Sequence, residues 1–126
     1  MYTIEAQLSR HDNGEPFDDL IDRVGFRVIA LKDRKLYINN NETKLRGFNR
    51  HEDHPHYGAA IPFSMMLRDL YILKDTGSNA VRTCHYPNDE IFLDLCDELG
   101  FYVWEENHAR GLDLTEMESP YFSRQC

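Results

Sequence analysis

The fold is decided by residues 61–104, which read IPFSMMLRDLYILKDTGSNAVRTCHYPNDEIFLDLCDELGFYVW. After Pro62, a residue suited to the first position of a helix, apolar residues recur every three or four positions until Gly77. These apolar residues are Phe63, Met66, Leu70 and Leu73. The period predicts an amphipathic helix between Pro62 and Gly77.

A second helix and three short strands complete this pattern. Residues 79–84 predict a strand, and Asn88 is expected to cap a helix that ends at Gly100. Ile91, Leu95 and Leu99 are expected to form the buried face of that helix, with Phe92 and Cys96 adjoining it. The apolar run 101–104 is typical of a strand covered on both faces. With a first strand at residues 44–46, the order β-α-β-α-β predicts a parallel sheet with right-handed crossovers.

The residues that precede this pattern are predicted to form β-strands. Apolar and polar residues alternate over residues 2–8 and again over residues 24–28, on either side of a turn-rich break at residues 11–16. Residues 36–38 and 44–46 flank three consecutive asparagines, which tolerate the positive φ of a tight turn. We therefore expect a hairpin there, and β structure up to about residue 45.

Charge and composition exclude several classes of function. The chain has 126 residues, with 14 Lys and Arg against 22 Asp and Glu, so its formal charge is −8 and it is not expected to bind nucleic acid. Its length falls short of a closed eight-stranded α/β barrel, which needs about 200 residues. The N-terminus has no export signal, and no apolar run reaches the roughly 18 residues of a membrane span. These features predict no membrane association and favour the cytoplasm.

The cysteines do not form a metal-binding or redox motif. Cys84, Cys96 and Cys126 are widely spaced and include no C-x-x-C pair. Reduced thiols are therefore expected. Cys84 and Cys96 lie in apolar segments, which predicts that both are small core residues.

Histidines and carboxylates gather after the three predicted strands. Chemistry in parallel α/β folds lies just past the carboxyl ends of the strands. Five of the six histidines fall in these positions, together with four carboxylates. They are His51, His54, His56, His85 and His108, with Glu52, Asp53, Glu105 and Glu106. This segregation predicts a functional site at that edge of the sheet.

The same segments resemble the signature blocks of glycoside hydrolase family 2, whose best-known members are β-galactosidases and β-glucuronidases. The first block is RGFNRHEDHP at residues 46–55, and the second is NAVRTCHYP at residues 79–87. The resemblance continues through residues 92–100 and 103–105. It covers roughly residues 20–111, and three linked blocks are far more specific than one short motif.

The resemblance implies an α/β fold that is an incomplete (β/α)8 barrel, made of the first two βα units and the third strand. Residues 1–34 would be the last strands of an immunoglobulin-like β-sandwich, and residues 35–126 the start of the barrel. The implied reaction is hydrolysis of a β-glycosidic bond with retention, by two carboxyl groups about 5 Å apart. Both catalytic glutamates are expected beyond Cys126. No catalytic residue is therefore assigned, and the isolated chain is expected to be inactive.

The resemblance implies substrate-binding roles for two histidines. His51 and His85 match histidines that family members place around the sugar hydroxyls at the cleavage subsite. An imidazole can donate to or accept from a hydroxyl, and such contacts assist the reaction when they tighten in the transition state. The alternative for each residue is a histidine hydrogen-bonded within the rim.

Other rim residues are expected to be structural. Arg82 is interpreted as a partner for a barrel carboxylate. Asn49 and Arg50 are expected to support the fold, and Glu52 and Asp53 to be solvated loop charges.

Two metal sites are alternatives. Several β-galactosidases bind magnesium with a Glu-x-His-Gly after the third strand, and Glu106 and His108 keep that spacing, although Ala109 follows. We expect no cofactor, with magnesium in the full-length parent as the alternative. His54 and His56 form an H-x-H that resembles the first ligands of amidohydrolase-type metallohydrolases. Zinc held there, with Glu105 or His108, would make the protein a metal-dependent hydrolase.

The sequence favours a β-galactosidase of carbohydrate metabolism that acts on β-galactosides, with a β-glucuronidase second. The preference for galactosides rests on the block at residues 49–55. A non-catalytic complementation or binding fragment is a third hypothesis, because a three-strand segment of a barrel leaves two sheet edges unpaired. The full-length parent is expected to be a homo-oligomer.

Overall fold

The computed structural model describes residues 1–107 and 111–124, and its contacts divide the chain into two units, Met1–Lys44 and Leu45–Cys126. The sequence placed a domain boundary between residues 34 and 35. The structural division falls later because residues 35–42 pair with the strand that precedes them. The assignment of residues 1–34 to a sandwich domain stays a prediction.

The first unit contains two antiparallel sheets. Strand β1 (Tyr2–Ser9) pairs with β2 (Pro16–Val24) around the predicted turn-rich break. The second sheet has the order β3 (Ile29–Lys32), β4 (Lys35–Ile38) and β5 (Asn41–Glu42). The prediction that this part of the chain is β is therefore confirmed.

Two strand assignments in this unit were wrong. The alternation over residues 24–28 does not form a strand, because β2 ends at Val24 and the N–H of Val28 donates to the side chain of Asn39 at 2.9 Å. The strand β2 went unrecognised because aspartates stand on both of its faces and interrupt the alternation of apolar and polar residues. They include Asp18, Asp19 and Asp22.

The predicted asparagine turn is present, but the strand after it begins at Asn41, earlier in the chain than expected. Asn39 and Asn40 have φ of 51° and 66°, so the chain reverses in two residues and Asn41 pairs with Ile38. Residues 44–46 are consequently not the partner strand. A second turn, at Asp33 and Arg34 with φ of 49° and 62°, joins β3 to β4 and was not predicted.

The second unit is a parallel β-α-β-α-β arrangement, as predicted. Its sheet has the order β6 (Gly47–Arg50), β7 (Ala80–Thr83) and β8 (Tyr102–Glu105). The crossovers are α1 (Phe63–Asp75) and α2 (Glu90–Leu99). Both crossover helices thus fall where the apolar periodicity predicted them.

The first strand of this sheet begins later than predicted. Its ladder starts at Gly47, while the carbonyl of Arg46 accepts from the N–H groups of Asn79 and Ala80. A side chain at Gly47 would overlap the carbonyl of Ala80, so only glycine allows this close approach. The apolar Leu45 drew the prediction toward residues 44–46. Asn49 and Arg50 consequently lie within the strand rather than after it.

The second helix also begins one residue later than predicted. Asp89, not Asn88, is the N-cap, since its carboxylate accepts from the N–H of Ile91 at 2.8 Å. Gly100 ends the helix in the left-handed conformation, with φ of 72°, as predicted.

The core of this unit lies between the helices and one face of the sheet. Its buried members are Ile61, Met66, Leu70, Val81, Phe92, Cys96 and Phe101. Leu95 and Leu99 pack against it partly buried, whereas Ile91 is 48% exposed. The buried face of α2 is therefore centred on Phe92 and Cys96, which were expected only to adjoin it. Among the described residues, no helix has the length and apolar character needed to cross a membrane.

A short helix that the sequence analysis missed follows the sheet. Helix α3 (Leu114–Met117) is fixed by a capping box, in which Asp113 accepts from the N–H of Glu116 and Glu116 accepts from the N–H of Asp113. Hydrogen bonding from Thr115 lowers the pKa of Asp113. The Asp-x-x-Glu spacing is the signal that could have revealed it.

Replacing Gly47 with alanine is expected to disrupt the pairing of β6 with β7. The new methyl group would collide with the backbone carbonyl of Ala80, and neither strand can move aside without losing ladder hydrogen bonds. We expect a loss of cooperative unfolding or a stability loss of about 1–3 kcal/mol, measured by urea denaturation. Gly25→Ala, where the methyl meets only Met1 at 3.5 Å, is the control. Equal midpoints for both variants would contradict the close approach.

Candidate functional site

The site is built on three aligned strand ends. In the parallel register, the last residues of β6, β7 and β8 stand side by side. These residues are Arg50, Thr83 and Glu105. The residues that follow them, His51, Cys84 and Glu106, therefore begin the same rim. The peptide bond between Cys84 and His85 is cis.

The two histidines predicted to bind substrate lie together on this rim. The ring centroids of His51 and His85 are 5.3 Å apart, with an edge-to-face angle of 76°. Nδ1 of His51 lies 3.3 Å from the hydroxyl of Tyr86, which also accepts from the N–H of Glu52 at 3.0 Å. Tyr86 therefore ties the first rim segment to the second. Contact with a sugar stays a prediction for both histidines.

An ion pair borders His85. Both Nε and Nη2 of Arg82 bind Oε1 of Glu106, at 2.7 and 2.6 Å, and Oε2 of Glu106 lies 2.9 Å from Nδ1 of His85. The hydrogen bond from His85, followed by that from Arg82, lowers the pKa of Glu106. Glu106 is thus a carboxylate at neutral pH, and Arg82 pairs with a barrel carboxylate as expected.

A buried arginine supports the rim from below. Arg50 is only 8% exposed, and its Nε donates to Asp69 and its Nη1 to Asn88, each at 3.1 Å. Its guanidinium also lies 4.0 Å from the ring centroid of Phe92. Arg50 therefore joins β6 to both crossover helices, which agrees with the structural role predicted for it.

Glu52 is not the solvated loop charge that was expected. Its side chain is 13% exposed, lies 3.9 Å from Arg50, and accepts from the N–H of Asp89 at 2.9 Å. A carboxylate at this position satisfies one free N–H group at the start of α2 and interacts favourably with the helix dipole. Glu52 therefore fixes the first rim segment to the second helix. Asp53 is exposed, as predicted.

An open cavity of about 530 Å³ adjoins His85 and the ion pair. It is lined by Arg82, His85, Glu105, Glu106, Asn107, Gly111 and Met117. A second cavity of about 210 Å³ lies on the uncovered face of the sheet, against Asn49, Arg82 and the 63% exposed ring of Trp104. These surfaces offer hydrogen-bond donors, acceptors and an aromatic face, so they can bind and orient a polyhydroxylated ligand.

Glu106, the one residue of the Glu106–His108 pair that the structure describes, is not arranged to bind magnesium. Both oxygens of Glu106 are engaged by Arg82 and His85, which leaves neither of them free to join the oxygen shell that magnesium prefers. His108 lies outside the described residues, and the pair itself stays a prediction.

The H-x-H alternative is not assembled by the described residues. Nδ1 of His54 accepts from the backbone N–H of His56 at 3.1 Å, and the His54 ring packs on Tyr57 with centroids 4.9 Å apart. Of its two predicted companions, Glu105 instead accepts from the N–H of Asn88, and His108 lies outside the described residues. Within residues 1–107 and 111–124, the cluster with metal-ligand spacing is formed by other residues, His51, Cys84 and His85.

Two residues of the site were missed by sequence reasoning. Tyr86 and Asn88 lie in the block after the second strand, but nothing in their spacing indicated that they bind His51 and Arg50. Cys84 was expected in the core and is buried, at 2% exposure, yet its thiol lies at the edge of the rim.

The sequence model for the TIM barrel domain of glycosyl hydrolases family 2 matches residues 29–124. The chain belongs to glycosyl hydrolase family 2. Among curated relatives, a β-galactosidase of Psychromonas ingrahamii is 42% identical over 106 residues, 83% of this chain and 10% of that protein. A protein of Formosa agariphila named putative β-glucuronidase is 39% identical over 84% of this chain and 13% of its own length.

Solved structures of the family have the same fold in this region. A β-galacturonidase of Eisenbergiella tayi, bound to galacturonate, is 54% identical and superposes with a TM-score of 0.83 over 99% of this chain and 22% of that one. A β-glucuronidase of Parabacteroides merdae is 40% identical, with a TM-score of 0.71 over 83% of this chain and 13% of that one. The chain thus spans between a tenth and a quarter of these relatives.

The lowered pKa of Glu106 predicts a pH dependence of stability. A carboxyl group whose folded-state pKa lies below its unfolded value stabilises the fold above the unfolded value, and this contribution disappears as the pH falls through the folded value. The difference in unfolding free energy between wild type and Glu106→Gln should therefore shrink on acidification from about pH 7 to pH 3. Urea unfolding at each pH measures it. Glu5→Gln, an exposed change in β1, is the control, and a difference that is flat with pH would contradict the ion pair.

Proposed function

We propose that this chain forms part of the substrate rim of a retaining β-glycosidase, in which His51 and His85 hold the sugar hydroxyls at the cleavage subsite. The observation that carries the proposal is the edge-to-face contact of the two imidazoles at 5.3 Å, at the carboxyl ends of neighbouring parallel strands. That edge is where barrel enzymes place their substrate contacts. Membership of glycosyl hydrolase family 2 supplies the reaction class.

The neighbouring groups prepare His85 for this role. The Glu106 carboxylate can accept from Nδ1 of His85 at 2.9 Å, and in the ring tautomer that makes this bond the opposite ring nitrogen carries a lone pair. That nitrogen can accept a hydroxyl hydrogen without further rearrangement. Arg82 holds the carboxylate in place, which keeps the ring orientation fixed. Preorganised contacts of this kind assist catalysis when they strengthen as the sugar ring distorts.

The bond-breaking groups are proposed to come from other parts of the full-length enzyme. Retaining glycosidases use one carboxyl group as the nucleophile and a second as acid and then base. The family resemblance implies that both follow later barrel strands, and the proposed contribution of this segment is binding and orientation. We accordingly expect the isolated 126-residue chain to leave aryl β-glycosides unhydrolysed. Cytoplasmic location and homo-oligomer formation stay predictions.

A galacto-configured β-glycoside is the proposed substrate class. β-Galactosidases recur among the curated relatives, and the solved relative with 54% identity is a β-galacturonidase. Galactose and galacturonic acid share the orientation of every ring hydroxyl and differ only at C6. The 54% identity to the β-galacturonidase makes a β-galacturonide the second candidate substrate, after the β-galactoside. Its carboxylate would need a cation, and Arg82 is already neutralised by Glu106.

A substrate panel tests this proposal. In the full-length protein that carries this segment, we expect aryl β-galactoside or β-galacturonide to be cleaved with a higher kcat/KM than the gluco-configured β-glucoside and β-glucuronide. The matched α-galactoside is the control for anomeric selectivity, and proton NMR of the first product gives its stereochemistry. A clear preference for gluco-configured substrates, or an inverted product, would overturn the proposal.

Removing either rim imidazole should impair catalysis without unfolding the protein. His51→Ala and His85→Ala are each expected to lower kcat/KM on the order of 100-fold, which is typical for losing one transition-state hydrogen bond. His56→Ala, a change on the same rim at an exposed position, should stay close to wild type. Steady-state kinetics with circular dichroism as a folding check measure the effect. Unchanged kinetics in both variants would remove the pair from the site.

A further inference from the structure

We propose that His51, Cys84 and His85 form a zinc site inside the sugar-binding rim, and that zinc bound there competes with the sugar. One potential ligand atom from each residue lies within 4.8 Å of the other two. The competition with sugar rests on the proposed function, whereas zinc binding does not depend on it. An imidazole nitrogen that coordinates the ion cannot also accept from a hydroxyl.

The donor set suits zinc. Zn²⁺ favours thiolate and imidazole ligands, at about 2.3 Å for sulfur and 2.0–2.1 Å for nitrogen, in a tetrahedral shell. Ligand atoms around such an ion are separated by about 3.5 Å, so small side-chain rotations close the observed cluster. Three protein ligands leave a fourth position for water, which is the pattern of open zinc sites.

Both histidines already have the outer partners that zinc ligands require. Nδ1 of His85 can donate to the Glu106 carboxylate at 2.9 Å, and Nδ1 of His51 can donate to the Tyr86 hydroxyl at 3.3 Å. Each donation leaves the other ring nitrogen as a lone-pair donor to a metal. Carboxylate and hydroxyl partners of this kind orient metal-binding imidazoles and raise their basicity.

Cys84 supplies the thiolate that distinguishes this cluster from an ordinary histidine pair. Its Sγ lies 3.5 Å from the carbonyl of Arg50, next to the rim. Binding would replace the S–H bond with a Zn–S bond and release the thiol proton to solvent. The other described cysteine, Cys96, is 1% exposed in the hydrophobic core, and burial raises its pKa to about 12. Cys96 therefore offers no competing thiolate.

Equilibrium dialysis and cobalt substitution test the site in the protein carrying this segment, with affinity tags removed and substrate absent. We expect stoichiometric Zn²⁺, and a thiolate-to-cobalt charge-transfer band when Co²⁺ replaces it. Cys84→Ser and His51→Ala should each weaken zinc binding by at least the roughly 10- to 100-fold that losing an outer partner costs. His51 is exposed and Cys84 is buried, so His51→Ala is expected to keep its fold even if Cys84→Ser does not.

A double variant, His54→Ala with His56→Ala, is the matched control because it removes the neighbouring H-x-H. Retained zinc and a retained charge-transfer band in this control would support the proposed cluster. Zinc binding that follows His54 and His56 instead, a cobalt spectrum without a thiolate band, or no zinc binding at all would overturn it. With an active enzyme, zinc should raise KM and leave kcat unchanged. Zinc bound without this competition would disprove the shared site while leaving the metal site intact.

Discussion

The in-register pairing of three parallel strands is the constraint on which the rest of the site depends. Because β6, β7 and β8 are hydrogen-bonded without offset, the chain leaves all three strands at one level, and His51, Cys84 and Glu106 emerge side by side. Gly47 makes this pairing possible by allowing the carbonyl of Ala80 to approach its Cα. A shift of one residue would turn each side chain to the opposite face and separate the rim groups.

Arg50 and Arg82 lie in adjacent rows of the sheet, and their side chains point to its opposite faces. Side chains alternate along a strand, so Arg50, level with Thr83, points toward the helices, while Arg82, one row earlier, points to the uncovered face. Burying the Arg50 charge would be costly without Asp69, Asn88 and the Phe92 ring around it. Asp69 and Phe92 belong to the two crossover helices and Asn88 directly precedes the N-cap of the second helix, so the contacts that stabilise the Arg50 charge also anchor the rim.

Features that repeat along the sequence could be predicted from it, whereas features set by contacts between distant residues could not. Periodicity located both helices and the parallel order, because burial against a sheet imposes it over many residues. It failed for β2, whose acidic faces hide the alternation, and for β6, whose start is set by the Gly47 contact with β7. Strand order predicted that His51 and His85 share one rim, and the family resemblance singled them out among the rim histidines. The role of Glu52 could not be predicted in this way, because its partner, Asp89, is distant in sequence.

The same contacts that prepare the rim for a hydroxyl also make it able to hold a metal ion. An imidazole whose Nδ1–H is committed to a carboxylate has a lone pair on its other nitrogen, and this lone pair can accept a hydroxyl proton or coordinate zinc. What decides between the two ligands is the third group of the cluster. A hydroxyl at position 84 would leave only two imidazoles, a weak set for zinc, whereas the Cys84 thiol adds a soft donor. In the proposed zinc site, Cys84 would therefore add a soft donor to two imidazoles that Glu106 and Tyr86 already orient.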